Sequence, residues 1–129
     1  MSVPNLDLLC ARYGCDMAKQ VYEALKKGAE NHITKSLGVL QEDGVYAFFL
    51  YQASRGEREE AGAKKLAQSA EALLAKAAVG PARFGAGDPL AATLDLADNL
   101  DQLLLAKRLL EQALIYARYH AKALQGGKT

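Results

Sequence analysis

From Asp98 to Leu124 the chain carries neither proline nor glycine, and its apolar residues fall on two faces of one helix. At about 100° per residue, Leu96, Leu100, Leu103, Leu110, Leu114, Ala117, Ala121 and Leu124 form a broad stripe. Leu105, Leu109, Tyr116 and Ala123 form a second, with Gln112 between them. A surface helix needs only one apolar stripe to meet its core. Two stripes predict a helix threaded through the middle of a bundle, or one that keeps a face for a neighbour.

The same period runs through the rest of the chain. A first helix is expected after Pro4 with Asn5 as its cap, carrying Leu6, Leu9, Tyr13, Met17, Val21 and Leu25 inward. Gly14 weakens it by up to ~1 kcal/mol without breaking it, and Lys26, Lys27 and Gly28 are expected to end it. A second helix is expected from Asn31, with Ile33, Leu37 and Leu40 inward, up to the turn signal Asp43-Gly44. The run Val45–Tyr51 has β propensity, yet a lone strand would leave its backbone unpaired, so it reads as a buried helix at the centre of the core. Ser54-Arg55-Gly56-Glu57 has capping-box spacing. It is expected to open a fourth helix to about Ala78, with Leu66, Ala70, Leu73, Leu74 and Ala77 inward. Residues 79–89 contain three glycines and two prolines and read as a flexible loop. Pro89 then opens a short helix over 89–97, and Asp98 caps the last one. The fold class is all-α: one compact domain over residues 1–129, a bundle of about five to six helices with a long C-terminal helix and a tail at 126–129.

Composition agrees. Of 129 residues half are hydrophobic and about a quarter charged, with alanine and leucine dominant, which is helical usage and enough chain for a core without staples. A net charge of +1 gives no global field, so any charged binding surface is local. Cys10 and Cys15 are five apart on a helix, which points them to different faces, and they read as two reduced thiols. Residues Met1-Ser2-Val3-Pro4 lack a basic region followed by an apolar run, and no apolar stretch approaches the ~18 residues of a membrane span. The expected location is cytoplasmic.

Candidate chemistry is sparse. Neither His32 nor His120 has a cysteine or carboxylate at metal-ligand spacing, so no metal or cofactor is expected. His120 reads as a surface histidine near a helix C-terminus. Phe84-Gly85-Ala86-Gly87-Asp88 lacks the spacing of a phosphate-binding glycine loop. No nucleophile and base stand together, so the chain reads as a non-enzyme with no catalytic residues and no small-molecule substrate.

Charge is more informative. From Asp88 to Ala106 there are four acids (Asp88, Asp95, Asp98, Asp101) and no base. From Lys107 to Thr129 there are five bases and one acid, Glu111. Lys107, Arg118 and Lys122 share roughly 60° of helix arc with Arg108 beside them, a ridge along which a phosphate backbone can lie. The helix macrodipole also rewards such a gradient, by ~0.3–1 kcal/mol per charge, but only within the terminal turns. Arg55 with Arg58 and Lys64 with Lys65 are smaller clusters, each readable as a solvated face paired with nearby glutamates. Arg83-Phe84 offers a cation and a ring to an unpaired base, although a Phe tucked onto the core is the favoured account.

In its order of elements the chain resembles a known family. The order is an amphipathic first helix, Leu37-Gly38-Val39-Leu40-Gln41-Glu42-Asp43-Gly44, an apolar helix closing on Ser54-Arg55-Gly56, and a final helix over Leu103–Leu124. This resembles the small helical subunit of type III-B (Cmr-type) CRISPR effector complexes, the fifth Cmr protein, over about residues 8 to 124. The aromatic of the family's last helix is represented by Tyr116 and Tyr119. The resemblance implies a non-catalytic, all-α subunit whose copies stack in a filament beside other effector subunits, in antiviral defence. It implies that basic residues face the guide RNA and target RNA, which makes Lys107, Arg108, Arg118 and Lys122 the leading contact candidates. Arg55, Arg58, Lys64 and Lys65 follow them. Leu105, Leu109 and Tyr116 would then touch the next copy or a neighbouring helix of the same fold. The alternative function is a helical protein–protein adaptor with no role for RNA, gripping one partner through the same stripe.

Overall fold

The computed structural model describes residues 5–79 and 84–126. The architecture is all-helical: α1 (Leu6–Leu25), α2 (Ala29–Asp43), α3 (Val45–Ala53), α4 (Glu60–Lys76), α5 (Pro89–Asp95) and α6 (Leu100–Gly126). Helix α6 lies against α1 along its length and against α2 on its other flank, and α1 also packs on α4. Buried side chains from all six helices form one apolar cluster.

Helix α1 begins as its sequence requires. Asn5 is extended, and its side chain accepts from the Leu8 N–H at 2.9 Å. The end differs from expectation. Gly28 keeps ordinary helical backbone while Lys26 itself takes a positive φ of 54°. A 3₁₀ turn over Lys26–Gly28 then leads into α2 at Ala29, two residues before Asn31. The Ala29 N–H bonds back to the Lys26 carbonyl, so this entry uses a backbone bond in place of a side-chain cap.

Gly44 alone joins α2 to α3. The segment that could have been a strand is helical, with Val45, Phe48, Phe49 and Gln52 buried at three- and four-residue steps. Phe48 and Phe49 are sealed in the core and meet edge to face, 5.1 Å between centroids. The expected capping box at Ser54 is not formed. The Ser54 hydroxyl donates to the Tyr51 carbonyl at 3.0 Å, and the Arg55 Nε donates to the same oxygen at 3.1 Å. These residues close α3, and α4 starts only at Glu60 after a turn in which Glu59 and Glu60 N–H groups bond to the Gly56 carbonyl.

Asp88 caps α5 by accepting from the Ala91 N–H at 3.1 Å, with Pro89 in the first turn as expected. Asn99, not Asp98, caps α6, accepting from the Gln102 N–H at 3.1 Å. No helix among the described residues is long and apolar enough to cross a membrane.

The two stripes of α6 meet neighbours within the same chain along their middle, while Leu100, Ala123 and Leu124 at their ends are exposed. Leu110, Leu114, Ala117 and Ala121 are fully buried. On the second stripe Leu109 is 5 % exposed and Leu105 and Tyr116 pack half-buried against the core. The Leu109 carbonyl accepts from the Cys10 thiol at 3.5 Å, and the Tyr116 hydroxyl donates to Asp7 at 2.9 Å. Both partners lie on α1. Leu109 is therefore a core residue rather than a subunit contact, its neighbour being a helix of the same fold, while Leu105 and Tyr116 stay partly exposed.

Candidate nucleic-acid interface

The outward arc of α6 carries the basic residues singled out by spacing, and the structure divides them. Lys107 is half-buried, and its Nζ donates to the Gln41 carbonyl near the C-terminus of α2 at 3.2 Å. The Gln41 side chain in turn donates to Glu111 at 2.9 Å. Glu111 lies one turn beyond Lys107 on the same arc. An acid thus interrupts the ridge, and Lys107 serves to fasten α6 to α2.

Farther along, Arg118, Tyr119 and Lys122 face Glu30 and Thr34 of α2 across a shallow hollow of about 310 Å³. The Arg118 guanidinium lies 5.4 Å from the centroid of the Tyr119 ring. A neighbouring hollow is lined by Lys27, Asn31 and Gln125, and shares Glu30 and Thr34. The end of α6 therefore sets Arg118 and Lys122 beside the exposed Tyr119, and the 3₁₀ turn before α2 places Lys27 on the adjoining hollow. Lys27 is an addition that helix spacing alone does not supply, because only the packing of the chain before α2 on α6 brings it near Arg118. Arg108 is exposed on α6 and lines neither hollow.

Among the described residues the only ion pair within 4.0 Å is Arg55 with Glu59 at 3.6 Å; the His32 ring also lies 3.9 Å from Glu59 and pairs with it only when protonated. Among the described residues Arg108, Arg118, Lys122 and Lys27 thus have no carboxylate within 4.0 Å. Arg55 is the opposite case. Its guanidinium stacks 3.8 Å from the Tyr51 ring centroid, and it is further held by Glu59 and the Tyr51 carbonyl. Arg58 is exposed in the turn before α4, and Lys64 and Lys65 are exposed on α4. Lys64 lines a different hollow, beside Glu60, Gln68 and Glu71. These four residues do not join the α6 hollow.

The glycine-rich loop has a structural use. Phe84 is buried, its ring 6.3 Å from that of Phe49, so it is not offered to a base. Arg83 and residues 127–129 lie outside the described residues. The Glu71 carboxylate, buried on α4, accepts from the Gly85 N–H at 2.7 Å and the Gly87 N–H at 3.1 Å. Both glycines hold positive φ, 98° and 92°, and the loop turns these two N–H groups toward one anion. The loop binds an anion, and that anion is the chain's own glutamate.

Among the described residues no group of histidine, cysteine, aspartate and glutamate side chains could hold a metal. Cys10 and Cys15 are free thiols. His120 is exposed, as expected. His32 is not: it is fully buried, its Nε2 2.8 Å from the Gln52 side-chain oxygen, while the Gln52 amide donates to Ser36 at 2.8 Å. No protein-family model, curated protein or solved structure significantly matches the chain.

Proposed function

We propose that this chain is a non-catalytic helical subunit of an RNA-guided effector complex of the type III-B CRISPR kind, acting in the cytoplasm in antiviral defence. In this role several copies assemble with other effector subunits along a duplex of guide RNA and target RNA. One observation carries the reading: Arg118 and Lys122 flank the exposed Tyr119 in one hollow, Lys27 lines the hollow beside it, and among the described residues none of the three cations has a carboxylate within 4.0 Å. Point charges of this kind hold a phosphate backbone by its charge and shape without reading its sequence, as a subunit that must accept any guide requires. Only a few phosphates are within reach of one copy, so binding by the isolated chain is weak and depends on the avidity of the assembly.

The test is to co-express the tagged chain with its neighbouring genes, purify it, and look for a large particle with discrete guide-length RNA and several copies of this chain. Arg118→Glu with Lys122→Glu is expected to lower the RNA recovered while leaving helicity and melting unchanged. A lone monomer, a single protein partner without nucleic acid, or undiminished RNA in the double variant overturns the reading.

A further inference from the structure

The hollow shared by Arg118, Tyr119 and Lys122 holds more than point charges. On its α6 wall Arg118 and Lys122 stand one turn apart with Tyr119 beside them, and on its α2 wall so do Glu30 and Thr34. Tyr119 is 62 % exposed, and the Arg118 guanidinium lies over its ring. A single exposed ring is ordinary. One set beside two cations that have no carboxylate within 4.0 Å has the parts that hold a nucleic-acid strand: charge for its phosphates and a platform for a base.

Glu30 decides which kind of strand. Among the described residues it is the one acid lining either this hollow or the one beside it, and it has no cation within 4.0 Å. A surface that binds only phosphates gains nothing from a carboxylate at its centre. A base with a free pairing edge is different, because each of the four bases carries an N–H there and a carboxylate accepts it. In a duplex those donors are already taken by the opposite strand. An acidic peptide meets the two cations but is repelled by Glu30, and a basic peptide is repelled by Arg118 and Lys122. A nucleotide alone brings an anion, a ring face and an N–H edge together. At about 310 Å³ the hollow is at the small end of the ~300–1,000 Å³ of small-molecule sites, the scale of one nucleotide. We propose that it seats a single unpaired nucleotide of an RNA strand. The base stacks on Tyr119 with its pairing edge toward Glu30, and Arg118, Lys122 and the adjoining Lys27 take the flanking phosphates. The proposal rests on the RNA-binding reading above and adds to it a preference for unpaired over paired strand.

One copy binds weakly, so the test is NMR on the full chain at low salt, where weak contacts in fast exchange are visible. The probes are a short single-stranded RNA and the same strand annealed into a blunt duplex. Tyr119→Phe identifies the Tyr119 ring signals by their loss. The single strand is expected to move those signals upfield, as a stacked base does, and the duplex to leave them nearly in place. Tyr119→Ala should weaken the single strand at least about five-fold and the duplex little, while Tyr119→Phe, which keeps the ring, binds as the wild type does. Glu30→Gln should narrow the preference for the single strand, and Arg118→Glu with Lys122→Glu should weaken both RNAs. Melting curves verify that each variant is folded. If both RNAs bind through Arg118 and Lys122 while the Tyr119 ring signals stay in place, the nucleotide site is overturned and the phosphate reading stands. If neither RNA moves any signal, both fall. A polyglutamate peptide that shifts the Tyr119 ring as the single strand does would give the hollow to an acidic protein segment and overturn the proposal.

Discussion

Gly14 meets Ala113 so closely that a methyl group on Gly14 would lie 2.6 Å from the Ala113 carbonyl oxygen and 2.7 Å from the Tyr116 Cβ. Both contacts are with rigid parts of α6, so the neighbour cannot swing aside. The helix-weakening glycine is therefore the point at which α1 crosses the long helix. Gly14→Ala is expected to destabilise the fold by about 1–3 kcal/mol despite alanine's better helix propensity. Gly38 is the control: it lies inside α2 with no neighbouring atom within 4 Å of a built Cβ. Gly38→Ala should stabilise by about 0.5–1 kcal/mol. Urea denaturation of both variants checks the contrast, and a shared sign would show that propensity, not packing, decides at Gly14.

The contrast also marks how far the sequence could be read. Apolar spacing located the helices because burial follows the helical period. Asn5 and Pro89 placed helix starts because capping chemistry is local. Ser54 misled because a serine three residues before a glutamate fits the end of α3 as well as the start of α4. Only Tyr51 and Arg55 settle that it belongs to α3. The basic ridge was legible as an arc, yet Gln41 detaches Lys107 from it and the 3₁₀ turn before α2 adds Lys27 beside it, and neither residue is near α6 in the chain. The second stripe was correct as a pattern and silent about its partner, which proved to be α1.

Glu71 leaves no trace in local pattern, since its bonds reach Gly85 and Gly87 across the loop. Hydrogen bonds to a charged acceptor contribute about 1.5–3 kcal/mol, and truncating the acceptor leaves two N–H groups without it. Glu71→Ala should destabilise by about 2–3 kcal/mol, and Glu71→Gln, which keeps one oxygen, by less. Amide hydrogen exchange at Gly85 and Gly87 should quicken in the alanine variant. Unchanged exchange would mean that Phe84, packed on Phe49, anchors the loop without the carboxylate.

Cys10 and Cys15 should differ sharply in reactivity. Burial, with a smaller contribution from the Asp7 carboxylate, pushes the Cys10 thiol up to about 11. At pH 8 almost none of it is the nucleophilic thiolate, and its sulfur faces the Leu109 carbonyl. Cys15 is partly exposed. A thiol-reactive reagent at pH 8 should therefore label Cys15 and spare Cys10 in the native chain, and label both in urea. Labelling of Cys10 at a comparable native rate would show that α1 opens from α6.

His32 makes acid stability a further test of the core. In the hydrogen-bond network the Gln52 amide donates to Ser36, so its oxygen accepts from the His32 Nε2–H. That leaves Nδ1 buried without a hydrogen bond, 3.9 Å from the Glu59 carboxylate. Burial holds the imidazole below its ordinary value of 6.5; the Gln52 bond and Glu59 oppose this, and Arg55 and Lys35 reinforce it. With the folded pKa below the unfolded one, the unfolded chain binds more protons as pH drops. Stability should therefore be level above neutrality and decline once pH falls below about 6.5, before the carboxylates titrate. The urea midpoint should be lower at pH 5.5 than at pH 7.5. In His32→Gln that difference should shrink, whatever the variant's stability at pH 7.5. Glu59→Gln removes the opposing carboxylate and should move the His32 ring titration, followed by NMR, further down. A wild-type ring that titrates at or above 6.5 would mean that Glu59, and not burial, governs the site, and the pH dependence would reverse sign.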